Sequence, residues 1–73
     1  MMTTEELMIE KINRMIANSV KVFNELEEDG RTWDEKREIM KGYYSGISGM
    51  INMMELATGK RYSYNVNEVY EIK

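Results

Sequence analysis

Apolar residues recur along the first third of the chain at Met8, Ile12, Met15, Val22 and Leu26, with Ser19 in the one gap. The steps alternate between four and three, which is a heptad seam. A second row, Ile9, Ile16, Val20 and Phe23, runs beside the first. Placed at 100° per residue, the two rows span roughly 160° of a helix. One partner helix covers a narrower stripe than that, so this helix is expected to touch two neighbours. Thr3 and Glu6 have capping-box spacing at its start, and Gly30 suits the residue after its end. The spacing predicts a helix over about 4–29.

The link Asp29-Gly30-Arg31 is short and favours an antiparallel helical hairpin. Thr32 and Glu35 form a second capping box, with Asp34 and Glu35 suiting the first turn of the helix dipole. Met40, Tyr43, Ile47, Met50 and Met54 give the second seam. Trp33, Tyr44 and Ile51 flank it on one side, and Ile39, Met53 and Ala57 on the other. The second helix is expected over about 33–58, ending at Thr58-Gly59 with Lys60 and Arg61 beyond. In the tail, 61–73, the period changes: Tyr62, Tyr64 and Val66 alternate with polar residues, as in a strand. Asn67-Glu68 could turn the chain so that Val69 to Ile72 pairs back, or the tail could lie along the helices or pair between subunits.

The fold expected is mainly all-α: one domain, residues 1–73, built as an antiparallel two-helix hairpin with a short extended C-terminal tail. Seventy-three residues make a small core that is marginal alone. Cysteine and histidine are both absent, which removes disulfides and the common zinc, iron and copper ligands. No metal or other cofactor is expected, and a homo-oligomer, dimer or higher, is the remaining support. The missing cysteines suit a reducing cytoplasm. The start MMTTEELM has no basic leader region, and the longest uncharged run, Gly42 to Met54, is too short to span a bilayer.

That run holds an anomaly. Gly42, Gly46 and Gly49 fall inside the second helix, where each glycine costs roughly 1 kcal/mol relative to alanine. On a helical wheel they lie within about 60° of one another. Ser45 and Ser48 extend this smooth strip, and Tyr43 and Tyr44 border it. It could let another helix approach closely, in this chain or a second copy. It could be a floor for a ligand, with Tyr43 or Tyr44 as a wall. Or the helix could break there. Apolar spacing that continues across the glycines, and the absence of proline, favour close packing.

Net charge is −3, and the acidity sits in the first thirty residues, which carry seven acids against three bases. This balance disfavours a nucleic-acid binder, though Lys36, Arg37 and Lys41 would be its contacts. Glu25, Glu27, Glu28 and Asp29 put four acids at the C-terminal end of a helix, against its dipole. They are either a solvated end paired with Arg31, Lys36 or Arg37, or an acidic tip that docks a partner. Thr58-Gly59-Lys60 resembles part of a phosphate loop, but Met54 stands where the first glycine belongs. Lys60, Arg61 and Tyr62 are candidate contacts for a phosphate or nucleotide.

Catalysis lacks its usual parts. Without His or Cys, nucleophilic chemistry would fall to a Ser45–Lys41 pair that nothing else supports. Eight methionines and six Tyr or Trp residues instead resemble an adaptable interface. The expected function is a small protein without enzymatic activity that binds and inhibits or regulates another macromolecule, of the phage or mobile-element type. A nucleotide-binding or nucleotide-sequestering oligomer is the alternative.

Overall fold

A computed structural model describes residues 2–73 of the chain. Helix α1 runs over Thr4–Glu28 and helix α2 over Trp33–Thr58. Strands β1, Tyr62–Tyr64, and β2, Val69–Glu71, follow. Both helices begin with complete capping boxes: the Thr3 and Thr32 hydroxyls accept from the Glu6 and Glu35 backbone N–H groups, and each Glu carboxylate accepts from its cap's backbone N–H. At the end of α1, Gly30 adopts φ +69°, and the Arg31 and Gly30 N–H groups donate to the Leu26 and Glu27 carbonyls. This pair of bonds is a Schellman stop, and its left-handed residue favours glycine. Gly59, at φ +71°, ends α2 in the same region.

Helix α2 is unbroken through Gly42, Gly46 and Gly49, none of which has positive φ. The glycines are therefore not punctuation. The two helices pack antiparallel through Ile12 and Ile16 on α1 and Ile47, Ile51 and Met54 on α2. The strands pair antiparallel with Tyr62 opposite Glu71 and Tyr64 opposite Val69. The turn between them is tied by Asn65, whose side-chain oxygen accepts from the N–H groups of Asn67 and Glu68. Tyr62 and Val69 enter the helical core from this hairpin.

The broad apolar face of α1 thus has its second neighbour inside the same chain. Ile12 and Ile16 share one core cluster with α2, Tyr62 and Val69, against which Ile9 packs, while Ile16, Ser19 and Val20 share a cleft with Tyr64 and Val66. The β-hairpin is anchored where the start of α1 meets the end of α2, and its turn reaches along the helical pair to a cleft beside Ser19, Val20 and Tyr44. At the other end the α1–α2 turn stands free, in a molecule 42 Å long and 22 by 18 Å across. No helix among the described residues is long and apolar enough to cross a membrane.

Candidate functional site

At the closed end, Glu5 is the hub. Its carboxylate accepts from the Tyr62 hydroxyl at 2.6 Å and from the Lys60 ammonium at 3.1 Å to both oxygens. The Tyr62 N–H donates to Glu55, and the Val69 N–H donates to Asn13 Oδ1 at 2.8 Å. These bonds fasten the hairpin to both helices. Two of the three candidate phosphate contacts, Lys60 and Tyr62, are therefore committed within the chain, and Arg61 alone is exposed without an ion pair among the described residues. Glu5, Asn13 and Glu55 carry no local signal in the sequence, because their partners come from distant positions.

This cluster, together with the second capping box, makes stability depend on pH at both extremes. The Tyr62 hydroxyl, and after it Lys60, hold the Glu5 carboxyl below the usual carboxylate range. The backbone and side chain of Thr32, then Arg31, do the same for Glu35. Burial first, then the bond to Glu5, raises the Tyr62 phenol, and the bond to Glu5 raises Lys60. The lowered carboxylates contribute fully above the unfolded value of about 4.3, and the contribution is lost as pH falls through their folded values. The raised phenol and ammonium contribute fully below about pH 10, and that contribution is lost as pH rises through their folded values. The melting temperature should therefore be flat near neutrality and fall on both sides. Glu5→Gln should flatten the acid limb. An acid limb unchanged in that variant would show that Glu5 is not coupled to folding.

The open end carries a different chemistry. An open groove of about 910 Å³ runs along α2, with Phe23, Trp33, Met40 and Tyr44 as its apolar lining and Lys36, Arg37 and Lys41 as its basic one. Trp33, the first residue of α2, is 62% exposed. The Lys36 ammonium lies 5.4 Å from the Phe23 ring centre and 5.8 Å from that of Trp33, and the Arg37 guanidinium 5.9 Å from Trp33. Lys36 is also paired with Glu27 at 2.8 Å across the turn. Glu25, Glu28 and Asp29 have no ion-pair partner among the described residues and are exposed. The acidic run is thus partly paired, through Glu27 alone, and otherwise free. Trp33 flanks the second seam in sequence, yet in the fold its ring shares the groove with Phe23 and stays mostly in solvent.

The glycine strip divides. A methyl added at Gly46 would meet Met15 Cε at 3.3 Å, so Gly46 does lie against α1. At Gly42 and Gly49 nothing stands within 4 Å. Tyr43 borders a small cleft with Gly42, Gly46 and Met15, while Tyr44 and Ser45 belong to the groove on the other flank. The candidate strip therefore faces two ways rather than forming one pocket. No cluster of acids among the described residues is placed to hold a metal ion. Comparison with protein-family models, curated proteins and solved structures finds no match to this chain.

Proposed function

We propose that this chain is a non-enzymatic binding protein that inhibits or regulates another protein, docking through the open end of its helical hairpin. The observation that carries the reading is Trp33. A large rigid aromatic ring, mostly exposed, stands at a groove with two cations over its face. Burying such a ring releases much apolar surface at little entropic cost, and tryptophan and arginine are the residues most often found at the energetic centre of interfaces. Free carboxylates at Glu25, Glu28 and Asp29 border the same end and would steer a basic surface toward it. The partner suited to this end has an apolar anchor for the groove and basic residues beside it.

The test is a titration against the partner captured in stoichiometric amount by the wild-type chain. Trp33→Ala should keep the helical circular dichroism and the melting temperature, since the ring is exposed. It should weaken binding by about 30-fold or more, the effect of a residue worth about 2 kcal/mol. Changing Glu25 and Glu28 to Gln and Asp29 to Asn should slow association and reduce its dependence on salt. A Trp33→Ala chain that binds as tightly as wild type removes this end as the docking site.

A further inference from the structure

The outer face of α2 carries a second seam that the fold leaves exposed, touched by α1 where Met15 reaches Gly46. Ile39, Gly42, Gly46, Gly49, Met53 and Leu56 recur at alternating steps of three and four. All six are exposed, Met53 at 60% and Leu56 at 88%. This is not the Met40–Ile47–Met54 row that meets α1. Nor does the chain itself account for glycine at 42 and 49, where the backbone is ordinary helix and a methyl would enter open space.

We propose that a second copy of this chain covers this seam, its α2 antiparallel to the first, with the two-fold axis between Gly46 and Gly49. That pairing sets Ile39 against Leu56 of the other copy, Gly42 against Met53 and Gly46 against Gly49. Two helices crossing there approach most closely at the centre, where the flexible end of Met15, 3.3 Å from the position of a Gly46 methyl, turns aside, and larger side chains fill the widening gap toward each end. Each glycine at 42 becomes the hole for a methionine. A parallel pair would instead stack three glycine layers between layers of large residues, which no straight helix pair can fill. The antiparallel arrangement also opposes the two helix dipoles.

The charges select the same occupant. Glu38 flanks the seam, and neither it nor Arg61 has an oppositely charged partner within 4.0 Å among the described residues. The two-fold brings Glu38 of each copy to the end of the other α2, where Lys60 and Arg61 follow. A parallel pair would set Glu38 beside Tyr43 of the other copy, far from Lys60 and Arg61. On the flanks, Ser45 faces Asn52 and Tyr43 faces Met50, so polar meets polar and apolar meets apolar. A contact that is the same patch on both partners closes as a dimer and does not propagate.

The absence of native cysteine makes the register directly testable. Ile39→Cys and Leu56→Cys chains, each mixed with the other and oxidised, should cross-link as a heterotypic pair, while either chain alone should cross-link far less. Light scattering of the wild type should give twice the 8.7 kDa of one chain. Leu56→Glu should return it to one chain with unchanged helical signal. Gly49→Ala, which fits the isolated chain, should raise the dimer dissociation constant at least tenfold. A wild type that stays a single chain into the millimolar range overturns the proposal and leaves the seam to solvent or to a different protein. A dimer whose cross-links are homotypic overturns the register, and a dimer indifferent to Leu56→Glu overturns the face.

Discussion

Tyr62→Ala is expected to remove about 3–5 kcal/mol of stability, the usual loss for a large buried aromatic. A domain of this size holds on the order of 4–11 kcal/mol in all, so this one change should leave a sizeable unfolded fraction. Three losses add. Tyr62 is only 6% exposed, in the core cluster formed by the helices and Val69 of β2. Its hydroxyl is the closest donor to Glu5. Without it, the backbone N–H that reaches Glu55 loses the packing that holds it in place. Tyr62→Phe separates these contributions. It keeps the ring and deletes only the hydroxyl, so it should cost clearly less than Tyr62→Ala and leave Glu5 held by Lys60 alone. Urea titrations followed by circular dichroism read both. If Tyr62→Ala costs less than about 1 kcal/mol, the β-hairpin does not hold the helices together.

Ile12→Ala should cost about 2–5 kcal/mol for a different reason, a cavity. Ile12 is fully buried, one of four side chains sealed from solvent at the centre of the fold. Its neighbours come from α1, α2 and both strands, so no single element can move in to fill the gap. Leu7, five residues earlier on the same helix, is 54% exposed and supplies the control. Leu7→Ala should stay within about 0.5 kcal/mol of wild type. The two substitutions differ little in chemistry, so their difference measures burial. A small effect at Ile12 would place the core elsewhere.

The helices were legible because their ends are written locally. Each starts with a Thr-x-x-Glu box and stops at a glycine, and the bounds found, 4–28 and 33–58, sit within a residue of those the spacing predicts. The exact centre of the core was less so. Tyr43 lies on the second seam yet is 39% exposed, while Ile51, placed as a flank, is buried. The β-hairpin decides this by folding over one side of the helical pair, and periodicity within one helix contains nothing about which side a distant tail will choose. The same distance hides Glu5. Its partners Lys60 and Tyr62 read as possible phosphate contacts only because the anion they do hold belongs to the other end of the chain. The wide α1 face does take two neighbours, α2 and the β-hairpin, both in the same chain.

The bonds that fasten the tail to α1 join positions 55 to 57 residues apart. The helical hairpin, by contrast, closes around a turn of four residues between Glu28 and Trp33. Short-range contacts form early on a folding path and long-range ones late, because the chain must first be ordered over the intervening length. The tail is then largely undocked at the barrier, and the stability it supplies falls on the escape rate from the native state. Weakening Tyr62 should steepen loss of the folded molecule while leaving its formation nearly untouched, a split visible in the two limbs of a denaturant series. The last dozen residues act as a clasp: they set how long a folded copy persists, and only slightly how quickly one arises.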